Sequence, residues 1–316
     1  MKLLAWAMAL ALPPLAVAAA APEPPADAPM YAFFTRGPVT PHADEGPQSV
    51  EGSARKYTWP EIENLRAPPD WFPDQHQPMP EIVAKGREPP VFACASCHLA
   101  SGMGHPESSS LAGLTVGYMN QQMEDYRTGA RKNPIPGQLN TQETMANIGR
   151  LTTPEDAAAA SAYFASLKAI PWMKVVEADT VPKSYVNSTF MRLVSPEGGT
   201  EPLGRRIIEV PQDEAGQMKR DPRSGSLAYV PVGAVAKGKA LVEAGSCALC
   251  HGADMKGMGE TPHIAGRSPL YVVRQLYAYR TGARNGPGAE LMQPFVGELT
   301  NDQMLEMAAY VATLEP

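Results

Sequence analysis

The spacing of apolar and polar residues predicts helices at matching places in the two halves of the chain. Tyr118, Gln122 and Tyr126 recur every four residues, which places them on one face of a helix. Close to the C-terminus, a second set of apolar residues keeps helical spacing and is most simply the buried face of a final helix. That set consists of Met304, Met307, Ala308, Val311 and Leu314.

Start and stop signals frame these helices. Thr153 precedes a proline and two acidic residues, and Thr300 forms a capping box with Gln303, so a capped helix should begin after each threonine. Gly129 and Gly282 follow helical segments that carry arginines in the last turn, where a helix is expected to end. A further helix is expected over 235–244, and the apolar run at 205–210 is typical of a short strand.

The first residues have the pattern of an export signal. A lysine at position 2 precedes an apolar run from Leu3 to Val17, and small residues at 18–20 offer a cleavage site. Pro13 and Pro14 interrupt the run, whereas a membrane-spanning helix needs roughly 20 apolar residues. We therefore expect a signal peptide at 1–20, a periplasmic location and no membrane span after cleavage. An uncleaved anchor is the alternative.

The two halves are copies of each other. A shift of 153 residues superimposes Tyr118 on Tyr271, Gln122 on Gln275 and Tyr126 on Tyr279. The same shift matches 127–131 to 280–284, both of which read Arg-Thr-Gly-Ala-Arg. An identity that extends this far indicates a duplicated unit.

Composition separates the duplicated units from the rest of the chain. The sequence has 316 residues, and the excess among its 33 prolines lies outside the units. The formal net charge of −6 argues against nucleic acid as a partner. We expect a signal peptide (1–20), a proline-rich N-terminal extension (21–79), a first domain (80–172), an inter-domain linker (173–233) and a second domain (234–316).

The linker is too long to be a structureless connection within a compact protein. We expect part of it to pack across both domains, with a small two-stranded β element near Leu227 to Val232. It would either fix the relative orientation of the domains or recognise a partner, and the sequence leaves both roles open.

All four cysteines belong to two C-x-x-C-H motifs, the signature of c-type haem attachment. Thiols at this spacing reach the two vinyl groups on one porphyrin edge, and the adjacent histidine becomes the proximal iron ligand. Disulfides, a redox dithiol or zinc are the alternatives, but a structural zinc ion needs four ligands. Two copies behind an export signal favour two covalently bound haem c groups. The motif residues are Cys94, Cys97, His98, Cys247, Cys250 and His251.

A methionine in each unit is the predicted second axial ligand. A shift of 147 residues aligns the last helices and superimposes Met145 on Met292, each eight residues before the capping threonine. A thioether ligand closes the iron to other ligands and raises its potential relative to histidine. An ordinary core methionine is the alternative at either position, and His105 and His263 are weaker candidates for the ligand.

These motifs resemble the class I diheme cytochromes c, especially the cytochrome c4 type, over roughly residues 80–170 and 234–316. The resemblance implies an all-α fold of two tandem cytochrome c domains, His/Met ligation and an electron-carrier role. Two features depart from the family pattern. Leu99 follows His98 where the family usually has glycine, and Pro89-Pro90 should break the helix that leads into the first motif.

Electron transfer between redox proteins, such as a dehydrogenase, an oxidase or another cytochrome, is therefore the predicted function. A peroxidase-like diheme enzyme with one open iron, or the electron-accepting subunit of a periplasmic dehydrogenase, are the alternatives. A cysteine-ligated haem is excluded, because no cysteine is left over. The helical tyrosines should pack near the haems: Tyr118, Tyr126, Tyr271 and Tyr279. The arginines beside them are expected at solvated helix ends, with haem propionates as the alternative partners: Arg127, Arg131, Arg280 and Arg284.

Overall fold

A computed structural model describes residues 24–33, 35, 37–38, 42, 45–88, 91–105, 107–138 and 140–316. The predicted signal peptide and Pro89-Pro90 lie outside these residues. Within the described part of the chain, no helix is long and apolar enough to cross a membrane.

The first unit is helical around a compact apolar core. Helix α4 packs against α5 and α6, and its core includes Ile82, Leu114, Met119 and Phe164. The side chains of Thr115, Asn140 and Thr153 cap α4, α5 and α6 by accepting a backbone N–H in the first turn. The helices are α2 (Glu81–Ala84), α3 (Ala95–His98), α4 (Val116–Thr128), α5 (Thr141–Leu151) and α6 (Pro154–Ala165).

The second unit repeats this arrangement with a longer leading helix. Helix α8 crosses α12 closely at Gly238, and the core between them includes Val242, Met304 and Ala308. The predicted capping box of Thr300 and Gln303 begins α12. The helices are α8 (Ala234–Ala244), α9 (Ala248–His251), α10 (Pro269–Arg280), α11 (Ala289–Val296) and α12 (Asn301–Val311).

The first unit differs from the second just before and just after its motif. Helix α2 has four residues, whereas α8 has eleven. Leu99 ends α3 at φ 60° and ψ 159°, close to the φ 80° and ψ 159° of Gly252 after α9. A side chain in this glycine region costs about 1–3 kcal/mol. The chain therefore follows the same turn after both motifs, and burial of the Leu99 side chain helps to offset the strain.

The linker contains much more β structure than the predicted pair of strands. The anticipated pair forms as β6 and β7, but β1 adds to β7 in parallel to give the order β1-β7-β6. Two further antiparallel pairs, β2–β5 and β3–β4, complete the segment together with helix α7 (Glu214–Met218). The expected β element of the linker is therefore present, but it is larger than the two strands predicted. The strands are β1 (Met173–Glu177), β2 (Thr180–Pro182), β3 (Ser184–Val186), β4 (Arg192–Val194), β5 (Thr200–Pro202), β6 (Ile208–Pro211) and β7 (Ser226–Val230).

The N-terminal extension packs against the rest of the protein at two places. Near its start, a 3₁₀ turn (Met30–Ala32) leads to Phe33, whose ring meets Tyr277 of the second unit edge-on at 5.6 Å. Further on, helix α1 (Trp59–Ile62) and a second 3₁₀ turn (Pro73–Gln75) surround a small aromatic core. From that core, Trp71 Nε1 donates to Lys219 O of the linker at 2.8 Å.

Candidate functional site

The two C-x-x-C-H motifs form matching helical turns, α3 and α9, each beginning directly after its first cysteine. Cysteines three residues apart on a helix lie on the same face, as attachment to one porphyrin edge requires. The imidazoles are oriented in the same way. Nδ1 of His98 lies 2.8 Å from Ser109 O, and Nδ1 of His251 lies 2.9 Å from Pro262 O, at the same position of the repeat.

These hydrogen bonds prepare both histidines for iron. An Nδ1–H that donates to a carbonyl fixes the tautomer in which Nε2 carries a lone pair, as a metal ligand requires. Burial lowers the pKa of His98 and of His251, which favours the neutral imidazole. Both residues therefore suit the role of proximal haem ligand.

A cavity in the first unit brings the predicted site residues together. It has a volume of about 440 Å³, within the usual range for pockets that bind small molecules and cofactors. Its walls include Cys94, Cys97, His98 and, from α5, Met145. This donor set, enclosed in a largely apolar wall, fits a covalently attached haem.

In the second unit, His251 is buried on α9 and Met292 lies half-buried on α11. Cys247 and Met292 pack against the same apolar core, whereas Cys250 is exposed at the surface. Two of the four predicted residues of the second site, Cys247 and Met292, therefore share one core.

The helical tyrosines are divided between the cavity and the core of the second unit. Tyr118, Tyr126 and Tyr271 line the cavity, and Tyr279 packs against the core of the second unit. Of the weaker ligand candidates, His105 lines the cavity from the loop that follows α3. The Nε2 atom of His263 lies 3.1 Å from Nη2 of Arg267, so this histidine already has a polar partner.

Two arginines join the units in a nearly symmetric network. Arg131 donates to Gln122 and to Gln275, both at 2.9 Å. Arg284 donates to the same two oxygens at 2.6 Å and 3.0 Å. Arg131 and Arg284 also pair as an isolated antiparallel bridge. The duplication therefore places equivalent residues on both sides of one junction.

This junction corrects the expectation that the arginines lie at solvated helix ends. Arg131 and Arg284 are buried, at 8% and 5% exposure, and each guanidinium packs over a tyrosine ring. Arg280 is also partly buried and donates to Leu299 O at 2.7 Å. Arg127 does lie at the surface, where it pairs with Glu124.

The junction contains two buried guanidinium groups. Among the residues that the structure describes, no carboxylate forms an ion pair with Arg131 or Arg284. Burial raises the pKa of Tyr271. Three nearby arginines outweigh this effect and lower the pKa of Tyr271 to about 8: Arg131, Arg267 and Arg284. Because Arg131 and Arg284 line the cavity, this edge of it suits an anionic group such as a carboxylate of the haem.

Two buried carboxyl groups lie where the linker meets the units. Glu107 lines the cavity, and its Oε2 lies 4.0 Å from Nη1 of Arg274. Burial raises the pKa of Glu107 to about 8, although Arg274 lowers it somewhat. Glu209 accepts from Leu270 N at 2.8 Å and from the Ser268 hydroxyl, and burial raises its pKa to about 7.

Sequence reasoning did not identify these two acids, since neither belongs to a motif. The 153-residue shift does superimpose Glu107 on Glu260, and this match is the signal that could have found it. Arg220, a linker residue that also lines the cavity, was missed because it too belongs to no motif.

The cytochrome c family matches two regions of this chain, residues 83–168 and 235–315. A thiosulfate dehydrogenase electron acceptor from Stutzerimonas stutzeri (strain A1501) is 26% identical over 232 residues, which is 72% of this chain and 82% of that protein. Cytochrome c-554(548) from Halomonas halodenitrificans is 36% identical over 72 residues, which is 22% of this chain and 87% of that protein.

Two solved structures share similarity with the chain. Thiosulfate dehydrogenase from Marichromatium purpuratum matches at 25% identity and a TM-score of 0.46, covering 81% of this chain and 40% of that one. Cytochrome c4 from Pseudomonas stutzeri matches at 19% identity and a TM-score of 0.44, covering 70% of this chain and 93% of that one.

Proposed function

Since this chain belongs to the cytochrome c family and transfers electrons through two covalently bound haem c groups, we propose that a histidine and a methionine hold each iron. His98 and Met145 hold the first iron within residues 80–172, and His251 and Met292 hold the second within 234–316. The observation that carries this proposal is the pair of equivalent Nδ1 contacts to Ser109 O and Pro262 O, which direct Nε2 of each histidine to a metal.

The haem supplies an iron that cycles between the ferric and ferrous states, and the protein determines where the electron enters and leaves. The cysteines fix each porphyrin edge covalently. Arg131 and Arg284 provide buried positive charge at the junction, where they would bind haem carboxylates. Their shared contacts with Gln122 and Gln275 hold the two units together at the same point.

This arrangement favours an electron carrier over a diheme enzyme. Two axial ligands at each iron leave no position open for peroxide or another small substrate. The reaction that this chain supports is therefore the exchange of single electrons with other proteins, with the substrate transformed elsewhere.

We propose a dehydrogenase as the electron donor, and specifically a thiosulfate dehydrogenase. Two relatives, at 26% and 25% identity, are named electron acceptors of that enzyme, and this chain spans 82% and 79% of their lengths. The apolar run at the N-terminus agrees with export to the periplasm, where such partners would meet.

The second attachment helix is the proposed docking point. Leu249 on α9 is 75% exposed, whereas Ser96, at the same repeat position on α3, is 1% exposed beneath the linker. An exposed leucine between the two haem-binding cysteines provides the small apolar contact that a transient redox complex requires.

Anaerobic mixing tests the proposal. The oxidised holoprotein is mixed with a purified thiosulfate dehydrogenase and thiosulfate, and haem reduction is followed by absorbance. We expect two electrons per chain with the dehydrogenase and none without it. Thiosulfate oxidation by this chain alone, or rapid peroxide consumption, would instead support an enzyme with an open iron.

A further inference from the structure

One linker residue reaches into the first haem site. Arg220 follows helix α7, and its backbone has a φ of 61°, which is unusual for a residue with a side chain. Its backbone N–H donates to Gln217 O at 3.0 Å, so the turn is held locally. The turn directs the side chain away from the linker and towards the first unit.

The guanidinium of Arg220 binds the first attachment helix directly. Nη1 donates to the carbonyl of Ser96, which lies between the two cysteines, and Nε donates to Ile62 O of the N-terminal extension at 2.9 Å. Arg220 also lines the cavity that contains Cys97 and His98. One side chain thus joins the linker, the extension and the haem-binding motif.

Nearby carboxylates compensate this charge only partly. Glu63 is a carboxylate that acts on its pKa, and the side chain of Glu63 is half exposed. Asp221, the next residue along, pairs with Arg223. Burial lowers the pKa of Arg220, but a guanidinium remains protonated in proteins. The first site therefore contains a fixed cation supplied by the linker.

The field of this cation reaches the loop after α3. Burial and then Arg220 lower the pKa of His105 to about 3. The counterpart of Ser96 in the second unit is Leu249, whose side chain is exposed to solvent instead of covered. The contact that Arg220 makes with an attachment helix is thus with the first site.

We propose that Arg220 is a positioning residue that seats the first attachment helix and selectively raises the reduction potential of the first haem. Reduction adds one negative charge to the site, and a nearby partly buried cation stabilises the reduced state relative to the oxidised one. The inference rests on the proposed seating of the first haem between His98 and Met145. It gives the linker a function beyond connecting the units.

Spectroelectrochemical titration of the full-length diheme protein tests the inference. In R220Q we expect the midpoint potential of one of the two one-electron waves to fall by about 59 mV or more, while the midpoint potential of the other stays the same. A shift of this size is a tenfold change in the equilibrium constant for reduction. R220K keeps the charge and should keep the potential. R223Q, which removes an exposed arginine three residues away, should change neither wave.

Two outcomes would overturn the proposal: R220Q leaves both waves unchanged, or it lowers both equally. Haem content of two per chain confirms that each variant is intact. If R220Q incorporates less haem, R220M repeats the charge removal while keeping the aliphatic stem. M145H tests the ligation of the first iron separately, because histidine in place of methionine lowers the first potential. If M145H moves neither wave, the proposed ligation of the first iron fails, while the comparison of R220Q with R220K still measures the effect of the charge.

Discussion

The crossing of helices α8 and α12 makes a strong prediction for the substitution Gly238→Ala. An added Cβ would lie 1.8 Å from the backbone oxygen of Glu306 and 2.4 Å from its carbonyl carbon. Because both atoms belong to the backbone of α12, no side-chain rotation relieves the clash. The helices must separate by more than an ångström.

This separation would loosen the core between the helices, where Val242, Met304 and Ala308 are buried. Overpacking of this kind costs typically 1–3 kcal/mol, and a backbone contact lies at the upper end. We therefore expect Gly238→Ala to lower the free energy of unfolding by about 3 kcal/mol.

Urea unfolding of the holoprotein, followed by far-ultraviolet circular dichroism and by haem absorbance, measures the loss. Gly288→Ala is the matched control, because a Cβ there has no atom within 4 Å and the backbone is in the helical region. The control should change stability by about half a kcal/mol or less. Equal stability of Gly238→Ala and Gly288→Ala would refute the account of the crossing.

Two further predictions concern the buried acid and the exposed leucine. Glu107, with a pKa raised to about 8 in the folded protein, binds a proton that the unfolded chain releases above about pH 4.3. Stability should therefore fall as pH rises through this window, by at most about 1.4 kcal/mol per pH unit, and Glu209 contributes with the same sign. Urea unfolding at pH 5 and pH 8 should show a smaller difference for E107Q than for the wild type, and an equal difference contradicts the assignment. L249K should slow reduction by a dehydrogenase several-fold in stopped-flow mixing, whereas L151K, at an exposed leucine of the first unit, should not. Equal rates for L249K and L151K would place the docking surface elsewhere.

Local chemistry predicted much of the architecture. The motifs around Cys94 and Cys247, the caps at Thr153 and Thr300, and the helix over 235–244 depend on neighbouring residues, and the structure contains each of these local elements. The duplication also indicated that Gln122 and Gln275 occupy equivalent positions. The repeat did not indicate that these two glutamines lie close enough to bind the same two arginines.

Long-range contacts explain what the sequence did not predict. Arg131 follows a helix in a polar segment, which is typical of a solvated end, but its acceptor Gln275 lies 144 residues away. Apart from β6 and β7, the strands of the linker were missed, because several, such as β2, have only three residues, too few to show alternation. Arg220 likewise acts through contacts with distant parts of the chain.

The central claim is that both irons are held between histidine and methionine. An absorption spectrum of the purified, oxidised protein through the weak sulfur-to-iron band at the red end, with haem quantified per chain, tests it most directly. We predict two haems per chain and a band of full strength for two methionine ligands. Met145→Ala and Met292→Ala should each halve the band. A band of half strength in the wild type, or a high-spin component that binds cyanide readily, would show one open iron and contradict the account.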